Sequence, residues 1–440
     1  MSNLIIIRGG RVINPSQNMD QICDITIENG LIIAIEPRGD PTVGTPTAGR
    51  LIRPGALAQR EIDATGLIVT PGLIDLHTHL REPGFEYKET VETGVSAAIA
   101  GGFTTICCMP NTNPVNDNAS ITELILERAR KAGKANILPV GAITRGLKGE
   151  ELSEIGELVA AGCVAISDDG MPVMNSLIMR RALEYAKIFD VPVIDHCEDL
   201  NLTDGGVMFE GAVSMALGLK GIPSASESVM VARDLALASL TGGRLHLAHI
   251  STAASVHLIR EAKSRGVLIT AETCPHYFTL TDEAVAGYNT NAKMKPPLPE
   301  RSDLMEIRAG LADGTIDAIA TDHAPHAHWE KEQEMDRAPF GIIGLETAIP
   351  LSLKLVSDGV LSLPALIQKF TQGPAQILGR PIGRIRVGDS ADITIIDPHL
   401  EWTVKGESFK SKSKNSPFIG WKMKGRAATV IVSGRVVENK

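Results

Sequence analysis

Eight short apolar runs recur through the middle of the chain, and nearly every one ends in a histidine, aspartate or asparagine. The runs are GLIDLHTH, TTICCMPN, NILPVGAI, CVAISDD, VPVIDHCE, RLHLAHIS, LITAETCPH and IDAIATDHAPH. Between most of them stand segments such as SITELILERARKAG and AASVHLIREAKSRG, whose apolar residues recur every three or four positions. That period marks an amphipathic helix. Alternating strands and helices imply a parallel sheet. Eight such units fit a closed (β/α)8 barrel of the TIM type, which needs roughly 250 residues. A doubly wound open sheet is the alternative, but no G-x-G-x-x-G follows the first strand. The polar residues favour the barrel, because such barrels build their active sites at the C-terminal ends of the strands.

The two chain ends have another texture. LIIIRGGRVIN and DITIENGLIIAI near the start, and ADITIID and ATVIVSGRVVEN near the end, read as short strands broken by turns. Residues 1–66 and 380–440 are expected to build one composite β-sandwich domain, with the barrel of residues 67–379 inserted in it. The Pro/Gly/Thr-rich stretch between Arg38 and Arg60 reads as a loop insertion.

Composition narrows the function classes. A net charge of −9 argues against nucleic acid or an anionic membrane as partner. No stretch is apolar for long enough to span a bilayer, and the N-terminus lacks the pattern of a signal peptide. The six cysteines show no C-x-x-C pairing and lie mostly in apolar runs, as expected in a reducing compartment. Cytoplasm is the expected location.

His77 and His79 stand two apart on the first barrel strand, so both face the same side. Both can reach one metal ion at the barrel mouth. His196 and His249 end later strands, and Asp322 ends the last one, where it could bind metal, act as a base, or do both. Imidazole with carboxylate suits Zn²⁺ or a similar divalent ion. Two ions held close together need a bridging anion, for which Asp168 and Asp169 are the candidates; the pattern alone does not choose between them. His257 and His399 read as surface or packing residues. His246, three before His249, reads as packing on the opposite face, and His276 as a neighbour of the site. Packing is also the reading for Cys197 and Cys274.

The segments PGLIDLHTHLREPG, GGFTT, MPNTNP, SDDG, DHCED, AHIST, ETCPH, TDHAPH and PFGIIGLET, in that order, resemble those of the long-chain bacterial (type I) dihydroorotases of the amidohydrolase superfamily, and the likeness extends over essentially the whole chain. The resemblance implies reversible conversion between dihydroorotate and N-carbamoyl-L-aspartate in de novo pyrimidine biosynthesis. It implies two Zn²⁺ per subunit, with His77, His79 and Asp322 at one ion, His196 and His249 at the other, and Asp169 between them. Asp322 would be the catalytic acid–base. His79, Arg81, Asn111, His326, Phe340 and Gly341 would hold the substrate. A homodimer and an aspartate transcarbamoylase partner are further implications.

One segment departs from the family. Where the family commonly reads K-M-N-P-P-L-R, this chain has Lys293-Met294-Lys295-Pro296-Pro297-Leu298-Pro299. Lys295 could meet an anionic or carbonyl group of the substrate, or point to solvent. The polar stretch HAHWEKEQEMDRAP reads equally as a mobile lid or as a plain solvated loop.

Two other functions compete. An allantoinase or dihydropyrimidinase would bridge its metals with a carboxylated lysine on the fourth strand, but residues 161–169 contain no lysine. Arg81 also suits a substrate that carries a carboxylate. A non-catalytic scaffold for aspartate transcarbamoylase would lack ligands that are all present here.

Overall fold

The structure, a computed structural model, describes residues 4–38 and 60–437. The insertion expected between Arg38 and Arg60 lies outside the described residues.

Eight parallel strands form the barrel: Leu73–Thr78, Phe103–Cys108, Asn136–Gly141, Ala165–Ser167, Val193–Asp195, Leu245–Leu247, Ile269–Thr273 and Ala318–Ile319. They pair in sequence order. The ring is completed beyond the formal strand ends, where Thr78 bridges His323 in parallel register and the His79 N–H donates to the His323 carbonyl at 2.9 Å.

The intervening helices start where side chains can satisfy their free N–H groups. Thr90 caps Val91–Gly101 in a reciprocal capping box, and Asn118 caps Ala119–Ala132. In Ala119–Ala132 the buried positions Thr122, Ile125 and Ala129 recur at helical spacing and face the strands.

The chain ends contribute strands Leu4–Asn14, Met19–Glu28, Leu31–Pro37, Arg60–Asp63, Ile393–Thr403, Lys422–Val432 and Arg435–Val437 to one continuous sheet. Its faces follow strand alternation. Val12, Val69, Ile395 and Ile431 join a core enclosed by the sheet itself. Their neighbours Ile13, Ile68, Ile396 and Val430 join the large core shared with the barrel. The period of two thus welds the sheet to the barrel on one side and closes its own core on the other.

The expected start of the barrel at residue 67 is displaced. Ile68–Pro71 pairs with Leu4–Asn14 and with Ile393–Thr403, so it belongs to the terminal sheet. The apolar run LIVTPGLI is continuous in sequence but is split at Gly72. There the backbone approaches Thr104 so closely that a Cβ would lie 2.0 Å from its Oγ1. Only glycine lets the chain pass from one layer to the other at this point.

Gly72→Ala is therefore expected to destabilise the protein by about 1–3 kcal/mol through overpacking. The measurement is a urea unfolding midpoint, and an unchanged midpoint would show that Thr104 gives way freely.

Candidate active site

The strand ends deliver six side chains to one point. His77 lies in the first barrel strand, with His79 directly after it, while Asp169, His196, His249 and Asp322 follow the fourth, fifth, sixth and eighth strands. All six are buried. Asp169 stands at their centre. Its carboxylate lies 3.1 Å from His77 Nε2, 3.4 Å from His79 Nε2, 3.5 Å from His249 Nε2 and 3.7 Å from His196 Nδ1. Asp322 Oδ1 is 3.0 Å from His79 Nε2 and 3.6 Å from His77 Nε2. His196 Nδ1 and His249 Nε2 are 2.8 Å apart. Asp168 turns away and accepts from the N–H and hydroxyl of Thr144, and burial pushes its carboxyl up to about 7.

The outer nitrogens of three of these histidines are committed to acceptors. His77 Nδ1 faces Glu272 Oε1 at 3.1 Å, His79 Nδ1 faces Asn111 Oδ1 at 2.9 Å, and His196 Nε2 faces Glu198 Oε2 at 3.0 Å. Each acceptor draws the ring proton outward, which leaves the inner nitrogen with a lone pair. Those lone pairs point at carboxylates, which cannot donate. His77 Nε2 and Asp169 Oδ1 are accordingly buried and close, yet neither has a hydrogen-bond partner. Such a set of acceptors is stable only around positive charge. Without an ion a proton on His77 Nε2 can supply that charge: burial alone would disfavour a charged His77, but Asp169, Glu272 and Asp322 outweigh it and push its pKa well up. Burial alone would raise Asp169, but His77, His249 and His79 hold it well below the usual carboxylate range. The donor set fits a divalent metal. His77, His79 and Asp322 form one group able to hold an ion, and His77, Asp169 and His249 another.

Glu272 and Glu198 were not picked out from the sequence. Both are buried. Burial pushes each carboxyl up, but His246 and His77 outweigh it at Glu272, and His196 and Lys295 at Glu198, so both are held at about 2. The motifs ETCPH and DHCED contain them, but only their spacing to the histidines in the fold reveals their use. His246 corrects its sequence reading. It is buried, but it lies beside the site rather than facing away from it, with Nε2 3.2 Å from Oε2 of the Glu272 that holds His77. Strand alternation cannot be counted from His246 to His249, because the strand ends at Leu247 and His249 has φ 33°. His276 is buried, with no partner for Nε2 among the described residues, and burial depresses its pKa to about 3. Cys197 and Cys274 are buried, and burial pushes both thiols well up; Cys197 lies in a further group with Asp195 and Asp234 that could hold an ion.

Beside the cluster, Arg81 is held at φ 62°. Its Nε donates to the Pro325 carbonyl at 3.2 Å, and Nη2 lies 3.4 Å from His326 Nε2. Burial, with Arg81 and Lys88 close by, lowers the His326 pKa to about 3. Asn111 is fixed between His79 and the Asp169 carbonyl. Gly341 has φ 123°, and a Cβ there would lie 2.7 Å from the Ala324 methyl and 3.2 Å from His326 Nε2. Phe340 carries Lys293 Nζ at 4.4 Å and Lys295 Nζ at 5.1 Å from its ring centroid. Lys295 Nζ also pairs with Glu198 Oε1 at 2.8 Å.

The polar stretch after His326 is not simply solvated. Lys331 is buried and donates to the carbonyls of Lys293, Pro339 and Gly341. Lys293 in turn donates to those of Met335 and Ala338.

A barrel with this cluster at its mouth is the architecture of an amidohydrolase. The L-hydantoinase (dihydropyrimidinase) from Arthrobacter aurescens superposes with a TM-score of 0.85 at 26% identity, covering 99% of this chain and 96% of that one. Residues 66–255 match the family model described as Dihydro-orotase-like. A dihydroorotase of Geobacter metallireducens is 55% identical over 433 residues, which is 98% of this chain and 99% of that one. One of Geotalea daltonii is 57% identical over 436 residues, 99% of each. The chain belongs to the dihydroorotase family of metal-dependent cyclic amide hydrolases. Among the described residues, no helix is long and apolar enough to cross a membrane.

Metal should bind the folded chain and not the unfolded one. Chelator-stripped protein is expected to gain about 2.7 kcal/mol when a divalent ion is supplied at a hundredfold excess over its Kd. Asp169→Ala should lose most of that gain. Thermal unfolding with and without Zn²⁺ measures both, and an equal response in the variant would remove Asp169 from the metal centre.

Proposed function

We propose that this enzyme opens and closes the ring of dihydroorotate, interconverting it with N-carbamoyl-L-aspartate, and that it uses two zinc ions per subunit. His77, His79 and Asp322 would hold one ion, His196 and His249 the other, and Asp169 would bridge them. The observation that carries the substrate assignment is Arg81 beside a neutral His326, next to the metal-ligand cluster. A neutral cyclic amide has no use for a half-buried cation there, whereas the carboxylate of dihydroorotate does.

When bound, the metal pair would acidify a water and polarise the scissile carbonyl. The protein's own share is positioning and proton transfer. Asp322 takes a proton from the water oxygen as it adds to the ring carbonyl. It then returns that proton to the ring nitrogen as the C–N bond breaks, so one group serves as base and then acid. Asp322 is ionised and so can accept a proton: burial pushes its carboxyl up, but His79, His77 and His249 outweigh it and hold it well below the usual range. Its backbone, at φ 46°, keeps that carboxylate at the ring of imidazoles. Arg81, Asn111 and His326 orient the substrate carboxylate, and the backbone of Phe340 and Gly341 borders the pyrimidine edge.

A cytoplasmic location, a homodimer and an aspartate transcarbamoylase partner belong to the same reading. The six cysteines are all buried and unpaired, in keeping with a reducing compartment. Light scattering of the pure chain, alone and with a transcarbamoylase, tests the assembly.

Three measurements test the chemistry. Purified protein should turn over dihydroorotate in preference to dihydrouracil and allantoin, and activity confined to the two neutral rings would sink the assignment. Asp322→Asn should lower kcat by about 10²–10⁴-fold with the fold intact, and near-normal turnover would exclude it as acid–base. Arg81→Met should raise KM for dihydroorotate by about ten- to a hundredfold while leaving metal content unchanged, and an unaltered KM would reject the carboxylate role.

A further inference from the structure

Lys295 stands where the family commonly has asparagine, and its ammonium is already engaged. Nζ lies 2.8 Å from Glu198 Oε1, and the Thr203 hydroxyl donates to that same oxygen at 2.6 Å. The other oxygen of Glu198 faces His196 Nε2 at 3.0 Å. A carboxylate oxygen only accepts, so His196 carries its proton on Nε2. Its Nδ1 is then an acceptor, 2.8 Å from His249 Nε2 and 3.7 Å from Asp169 Oδ1. The chain of contacts thus runs from Lys295 through Glu198 to one of the two histidines of the second ion.

Its anchor separates Lys295 from Arg81 and His326, although its ammonium also lies 5.1 Å from the Phe340 ring centroid. Arg81 and His326 follow the first and eighth strands and touch each other, whereas Lys295 is anchored to Glu198, three residues past the fifth strand. Glu198 is itself buried, so its orientation rests on the groups that hold its two oxygens. An asparagine here could hydrogen-bond Glu198 but could not balance its charge.

We propose that Lys295 is a positioning residue of the second metal site: through Glu198 it fixes the tautomer and orientation of His196, and it does not bind substrate. This rests on the two-metal reading above. Outer carboxylates of this kind set the affinity of the histidines they hold, and their loss typically weakens metal binding about 10–100-fold.

The test is titration of metal-free full-length protein with Co²⁺, followed by calorimetry for stoichiometry and by visible absorption for ligand geometry. Wild type should bind two ions. Lys295→Met and Glu198→Gln should each weaken the second ion by about 10–100-fold, with the first changed by less than about threefold and the absorption of the second ion altered. Lys295→Arg should restore affinity to within about threefold, which separates positioning from misfolding. KM for dihydroorotate should stay within about twofold in Lys295→Met at saturating metal. Two tightly held ions in Lys295→Met together with a KM raised tenfold or more would overturn the proposal and make Lys295 a substrate contact. Two tightly held ions with an unchanged KM would overturn it as well. A wild type that binds a single ion would instead fail the two-metal reading, and the proposal with it.

Discussion

His77 Nε2 and Asp169 Oδ1 face each other across 3.1 Å with no hydrogen bond between them. Both are buried, and each could be satisfied elsewhere by a small rotation if the fold allowed it. The fold does not allow it. Glu272 holds the far side of the His77 ring, and Asp169 is hemmed in by three further imidazoles. Two groups with lone pairs, pressed together in a low dielectric, are tolerable only around a cation. The histidines brought by the first, fifth and sixth strands therefore have a single electrostatic requirement in common, centred on the carboxylate brought by the fourth.

Meeting that requirement costs backbone strain at the strand ends. Arg81, His249 and Asp322 all have positive φ, at 62°, 33° and 46°, which side chains of these types adopt at about 1–3 kcal/mol each. Regular extension of the strands would carry His249 and Asp322 past the cluster or turn them out of it. The strain is borne by the ring that the strands close. The His79 N–H bonds to the His323 carbonyl, and Asp75 accepts from the N–H and hydroxyl of Thr321, so the first and last strands clamp Asp322 between them. Closure of the barrel and geometry of the site are thus one constraint.

This division explains which parts were legible in sequence. His77, His79, His196, His249 and Asp322 could be read because each interrupts or ends an apolar run, and a polar residue at that place has no use in a bland barrel. Asp169 could be distinguished from Asp168 only by resemblance, since adjacent aspartates at a strand end are separated by which way the loop turns. In the fold Asp168 goes to Thr144. Glu272 and Glu198 carried no signal of their own, because an acidic residue inside a motif looks the same whether it binds solvent or a ring nitrogen. Ile68–Pro71 reads as barrel in sequence because hydrophobicity is continuous across Gly72, whereas the break there is one of close approach. The side of His246 is not legible in sequence, because alternation does not carry past Leu247 to His249, whose backbone leaves the strand.

The segment beyond His326 shows the same physics at work away from the metal ligands. A buried lysine without a carboxylate partner is costly, and this chain places two of them, Lys293 and Lys331, under the loop that carries Phe340 and Gly341. Together they cap five backbone carbonyls of residues 293–341. Carbonyls at the turns of a loop have no strand or helix to satisfy them, and an ammonium with three donors can gather several at once. Gly341 is pinned in this way, with its N–H on the Lys293 carbonyl at 2.9 Å, and its lack of a side chain admits the close approach of Ala324 and His326. The loop that carries Phe340 and Gly341 is thus held together by backbone carbonyls gathered around buried charge.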